Sequence, residues 1–267
     1  MHIYSKRAIS MIELLIVITV MGLLLGAVLA GMKILEQTKL NNIIADFKKY
    51  NVAFLGYTDY YGKLPGKDDV AGFRWGTNCA DIADDCNGIL DSPIITTSPN
   101  SKGVNESVII WKQLALAKFI EDDIKVYSKI EKPRIGAGMN IPESGIRSHA
   151  AYFFTNQIRR NTVLREGYLY PDNVTAIFIG AHHGGGAVTD DTSYRQYHAP
   201  MEPALTTSQA EYLSMKLGSS GVPIDGSFRA IEGDTATSYQ CWSDATGTAF
   251  NGKSKGDLAC VGSMIVG

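Results

Sequence analysis

The chain has 267 residues, 45% of them hydrophobic and 19% charged, with 25 Lys and Arg against 27 Asp and Glu for a net charge of −2. The apolar fraction is sufficient for a packed core. The balanced charge excludes a strongly basic surface, so no specific nucleic-acid binding is expected.

The first predicted element follows a short basic segment, Lys6-Arg7. Residues 8–32 read A-I-S-M-I-E-L-L-I-V-I-T-V-M-G-L-L-L-G-A-V-L-A-G-M, with Glu13 as the single carboxylate. Residues 14–32 run for 19 positions without a charge, about the length that crosses a bilayer as a helix. A carboxylate at such a place is costly in lipid and marks a functional position by default. Lys6 and Arg7 should stay on the cytoplasmic side, with the remainder of the chain across the membrane. Lys33, Lys39, Lys48 and Lys49 lie beyond the span and oppose this weakly, accompanied by Glu36 and Asp46. Gly22 and Gly26 have a spacing that permits close helix approach, although glycine is also common in membrane helices generally.

The helix is predicted to continue past the apolar run. Leu40, Ile43, Phe47, Tyr50, Phe54, Tyr57 and Tyr61 recur at steps of three and four, an apolar stripe on one helix face. No proline intervenes before Pro65, and no Gly/Pro/Ser linker separates the two halves. A helix over residues 9–61 would be about 80 Å long at 1.5 Å per residue.

The opening segment resembles the N-terminus of bacterial type IV pilins and of the related pseudopilins of type II secretion. Those proteins carry a short basic leader, a small residue at the cut site, and Glu as the fifth mature residue. Here the run Ile12-Glu13-Leu14-Leu15-Ile16-Val17 matches the most recognisable part, while the usual Gly and Phe around the cut are replaced by Ala8 and Ile9. The resemblance implies a leader over residues 1–8, cleavage between Ala8 and Ile9 by a prepilin peptidase, and N-methylation of Ile9. It implies a role for Glu13 in assembly, paired with the α-amino group that cleavage creates on a neighbouring subunit. Such a desolvated pair sets register more than it adds stability.

The implied organisation is a membrane-spanning or fibre-core half over residues 9–32 and an amphipathic half over 33–61. A globular head over 62–267 follows, large for a pilin and read as one enlarged domain. The fold class is α+β, with the long helix packed on an antiparallel β-sheet. The implied partners are other pilin or pseudopilin subunits, the prepilin peptidase, an inner-membrane assembly platform and the membrane itself. The implied location is the bacterial inner membrane before assembly, then a fibre with its head periplasmic or at the cell surface. A minor type IV pilin is the leading expectation. A type II secretion pseudopilin and a membrane-anchored periplasmic binding module are the alternatives.

The head is predicted to begin with a turn, G-K-L-P-G over residues 62–66. An acidic loop follows, and its phrases L-P-G-K-D and W-G-T-N-C are similar to those of large-headed prepilin-type proteins. Next come a helix over 108–120, strands over 150–155, 174–180 and 227–231, and a helix over 209–217. A long helix followed by a loop and strands suits an α+β head.

Four cysteines allow three pairings. Cys79–Cys86 with Cys241–Cys260 is the expected pair set, because each closes a short local loop. The second would staple the C-terminal segment, as disulfides often do in pilins. A zinc site is disfavoured by the absence of C-x₂₋₄-C spacing. Asp81, Asp84, Asp85, Asn87 and Asp91 place five oxygen-bearing side chains within 11 residues, a candidate calcium loop. Their spacing does not fit an EF-hand, but related secretion pseudopilins order a head loop with calcium. His182-His183 before Gly184-Gly185-Gly186 reads as a surface loop rather than a metal site. No lysine follows Gly184-Gly185-Gly186, which is therefore not read as a phosphate loop, and no catalytic constellation stands out, so a structural protein rather than an enzyme is expected.

Overall fold

The computed structural model describes residues 10–75, 106–121, 137–138, 141–155, 174–181, 202–218, 221–233, 241–243, 247, 249–252 and 256–266. The chain divides into two compact units, one ending at Asn41 and one starting at Asn42. The boundary falls inside a single helix, α1, which runs unbroken over Met11–Tyr61 for 51 residues. At 1.5 Å per residue that is about 76 Å.

In the first unit the helix is apolar and exposed: Leu14, Leu15, Ile18, Leu23, Leu24, Leu25, Val28 and Leu29 all face outward. Its two hydroxyls are satisfied by its own backbone, Thr19 Oγ1 donating to Ile16 O and Thr38 Oγ1 to Ile34 O, each at 2.9 Å. Bonds of this kind remove the need for an outside partner in an apolar setting.

The second unit is an α+β head. Its part of α1 carries the stripe expected from the sequence: Ile43, Phe47, Tyr50, Phe54 and Tyr57 are buried. The helix stops at Gly62, whose φ of 66° places it in the left-handed region, with Gly62 N donating to Thr58 O at 2.8 Å. Glycine takes that cap conformation without the Cβ clash other residues incur. A short helix α2 follows over Ala71–Trp75, then α3 over Glu106–Leu116.

Helix α3 ends four residues before the expected limit, and the reason is local. Lys118 adopts φ 62°, Phe119 N donates to Leu114 O at 3.0 Å, and Lys118 N to Ala115 O at 3.1 Å. That pair of bonds is the Schellman cap. It turns Phe119 back onto α1 at Gly56, where a Cβ would lie only 2.9 Å from the ring.

Among the described residues the sheet is antiparallel with five strands: β1 Ala150–Thr155, β2 Ala176–Ala181, β3 Leu205–Thr206, β4 Phe228–Glu232 and β5 Leu258–Ile265. Strand β5 organises it. Residues 262–265 pair with β2 and residues 258–260 with β3, while residues 260–264 pair with β4. Cys260 opposes both Leu205 and Glu232, so β3 and β4 flank β5 on opposite edges, and β2 shares the edge of β3. A helix α4, Thr207–Lys216, packs on β3, β4 and β5. It starts two residues ahead of expectation because Thr206 and Gln209 form a reciprocal capping box.

Alternation sorts the strands into two faces. Tyr152 and Phe154 of β1 meet α1, with ring centroids 5.2 Å apart for Tyr50–Tyr152 and for Phe54–Phe154. Phe228 of β4 meets Phe47 at 6.1 Å. Trp111 of α3 fills the same layer, 4.7 Å from Tyr50 and 4.6 Å from Phe154. On the other face Phe153 stacks on its cross-strand partner Phe178 at 5.3 Å. These edge and tilted ring pairs add about 0.5–1.5 kcal/mol each beyond burial.

Strand β5, β3 and α2 were not expected from the sequence. Gly262 and Ser263 interrupt the apolar alternation of β5. The glycine is required by packing: a Cβ there would lie 2.8 Å from Phe228 and 2.9 Å from Leu205.

Candidate functional site

Three groups of residues carry the chemistry. The first is the exposed apolar part of α1. It is long and apolar enough to cross a membrane. Continuous apolar exposure on this scale marks a membrane or association surface rather than a water-facing one. Glu13 lies in its first turn, beside the unpaired amides that open any helix, where a negative charge is favoured. A Cβ added at Gly22 or Gly26 would meet nothing within 4 Å, so both small positions lie open.

The second group closes the far end of α1. Asp68 is fully buried. Its Oδ2 accepts a hydrogen bond from the Tyr57 hydroxyl at 2.7 Å, and its Oδ1 accepts from Val70 N at 3.1 Å. Arg74 Nη1 completes a salt bridge to the same carboxylate. The guanidinium lies over Tyr61 at 4.3 Å from the ring centroid and over Trp75 at 6.0 Å. Burial, then the hydrogen bond to Asp68, holds the Tyr57 phenol well above its ordinary range. Gln113 of α3 reaches the same turn, its Oε1 accepting from Gly66 N at 2.5 Å. At the surface, the hydrogen bond from Lys63 keeps Asp69 below the usual carboxylate range. The network locks the turn after α1 to α1 and α3.

Nearer the middle of the head, the Tyr152 hydroxyl donates to Asp46 Oδ2 at 2.9 Å. Burial and then the charge of Asp46 raise this phenol above its ordinary range as well. The bond fixes α1 against β1.

The third group is the C-terminal staple. Cys241 and Cys260 are joined, with an S–S distance of 1.99 Å and Cα atoms 5.0 Å apart, across 19 residues. Both are fully buried. The Glu232 carboxylate accepts from Cys241 N at 3.0 and 2.9 Å and from Trp242 N at 2.9 Å. Trp242 Nε1 donates to Ala230 O at 2.8 Å.

Among the residues expected from the sequence, Glu13 lies on the exposed helix, and Cys241 and Cys260 are bonded as expected. Ala8, Ile9, Cys79, Cys86 and the calcium candidates Asp81, Asp84, Asp85, Asn87 and Asp91 lie outside the described residues, as do His182 and His183. Among the described residues no cluster of three His, Cys, Asp or Glu is placed to hold a metal ion. Sequence reasoning missed Asp68, Arg74 and Glu232. The L-P-G-K-D phrase marked the position of Asp68, but nothing linked it to Tyr57, eleven residues earlier. Comparison with protein-family models, curated proteins and solved structures found no match.

Proposed function

We propose that this chain is a pilin-like structural subunit of a fibre, in a minor rather than a bulk role. It inserts in a membrane through α1, is cut by a prepilin peptidase between Ala8 and Ile9, and assembles with its apolar helix in the fibre core and its head outward. Glu13 meets the new α-amino group of a neighbour and sets the axial register.

One observation supports this reading above the others. A single unbroken helix is exposed and apolar through Leu35, with Glu13 in its first turn, and then supplies the buried spine of a folded head between Ile43 and Tyr57. A separate signal anchor has no need to continue as the core helix of the domain it tethers. The large head favours a specialised subunit.

The test is the N-terminus of the membrane-extracted protein, read by mass spectrometry with and without the prepilin peptidase. A peptidase-dependent start at Ile9 is expected. An intact Met1 in both samples would sink the proposal and leave a membrane-anchored binding module. Glu13→Ala should keep insertion, cleavage and head stability and lose fibre incorporation, measured as subunit in sheared fibres against subunit in membranes.

A further inference from the structure

We propose that Glu232 is a positioning residue for the Cys241–Cys260 disulfide. Its carboxylate holds the backbone at Cys241 so that this thiol faces Cys260 before the bond forms.

The argument starts from register. Glu232 and Cys260 are directly opposed on β4 and β5. Opposed residues of an antiparallel pair project from the same face with Cβ atoms about 5 Å apart. The Glu232 side chain therefore leaves the sheet beside the Cys260 side chain. At its tip it accepts the amides of Cys241 and Trp242, three close donor–acceptor distances of 2.9–3.0 Å. The indole of Trp242 adds a second anchor on β4 through the Ala230 carbonyl, 2.8 Å away. Every one of these bonds links β4 to residues 241–242, and none passes through sulfur. They bring Cys241 to the place where its Cα stands 5.0 Å from that of Cys260, within the range that a disulfide spans.

The chemistry balances with an external disulfide, such as oxidised glutathione, as oxidant. One cysteine thiolate attacks it, releasing one thiol and leaving a mixed disulfide. The second cysteine thiolate then displaces the other thiol. The cysteine pair gives up two electrons and two protons, and the oxidant is reduced to two thiols. Glu232 transfers no proton. It raises the effective concentration of one thiol at the other. This role is independent of fibre assembly.

The experiment uses the full-length protein in detergent micelles, reduced and then equilibrated in glutathione buffers. Trapping by alkylation and peptide mapping give the fraction joined as Cys241–Cys260. Charged hydrogen bonds of this kind are strong enough that Glu232→Ala should lower the equilibrium constant for that bond about tenfold or more, with mispaired Cys79 or Cys86 appearing. Glu232→Gln keeps one acceptor oxygen and should fall between. Ser263→Ala removes the bond from Ser263 Oγ to Arg229 O on the other face of the same strand pair and should leave the constant unchanged. Wild-type values in the glutamine and alanine variants would overturn the proposal. So would an equal loss in Ser263→Ala, which would show that general weakening of the strand pair is the cause. If Glu232→Ala loses its sheet signal by circular dichroism, Glu232→Gln against Ser263→Ala decides.

Discussion

The two stretches of α1 share one backbone geometry and rest on different physics. Over residues 14–29 the apolar side chains point outward all round. Between Ile43 and Tyr57 one apolar face is buried under rings from β1, β4 and α3. The first stretch is held by its helix hydrogen bonds and depends on an apolar environment for its side chains, because its β-branched residues and two glycines lower its intrinsic helix propensity. The second is held by packing, as most helices of globular proteins are. Mutations in the two stretches should therefore fail in different assays.

The largest effect is expected at the packed end. Trp111→Ala or Phe47→Ala should cost about 3–5 kcal/mol of head stability, because each leaves a cavity between helix and sheet. Denaturant unfolding of the full-length protein in detergent measures it. A cost under about 1 kcal/mol would mean that the stripe is not what holds the head together.

Asp68→Asn comes next. Breaking a buried pair costs about 3–5 kcal/mol. Here the Arg74 side chain is 28% exposed, so water recovers part of its solvation and about 2 kcal/mol is expected. The same unfolding measurement applies, and an unchanged midpoint would remove the network as a support for the end of α1.

The buried phenols make a third, pH-dependent test. Both Tyr57 and Tyr152 keep their protons in the folded chain beyond the ordinary tyrosine range. Unfolded tyrosines lose theirs near pH 10. Below that pH their contribution is fully present. Above it the unfolded chain binds fewer protons, and stability falls by about 1.4 kcal/mol per pH unit for each tyrosine. Tyr57→Phe should remove half of that combined slope between about pH 10 and 11, followed by unfolding midpoints. An identical slope in the double phenylalanine variant would place the alkaline sensitivity elsewhere.

The smallest effect sharpens the contrast. Leu24→Ala, at a position 61% exposed, should change head unfolding by less than about 0.5 kcal/mol. A loss comparable to Phe47→Ala would show that the exposed stretch also supports the head.

The legible parts of the fold were those written in local periodicity. The stripe from Ile43 to Tyr57 announced itself at steps of three and four, and the aromatic run A-A-Y-F-F-T gave β1 with its observed bounds. The Cys241–Cys260 pair followed from loop length. What stayed hidden depends on residues far apart in sequence. Gly262 weakens the strand signal of β5, yet its missing side chain is what admits Phe228 and Leu205. Asp68 is an ordinary loop acid until Tyr57 and Arg74 are seen on either side of it. Glu232 reads as one more polar strand residue, because its acceptors serve amides nine and ten positions later.

The position of β5 also imposes a timetable. It pairs with β2, β3 and β4, and all three precede it along the chain. A polypeptide that emerges N-terminus first can pair β1 with β2 and lay them against α1 early, but among the described residues β3 and β4 meet their partner strand only when residues 258–265 arrive. Long-range closure of this kind is slow and leaves unpaired edges exposed meanwhile. A chain interrupted anywhere before residue 258 would lack not a peripheral tail but the strand that joins β2, β3 and β4, and quality control would meet it as a half-built sheet.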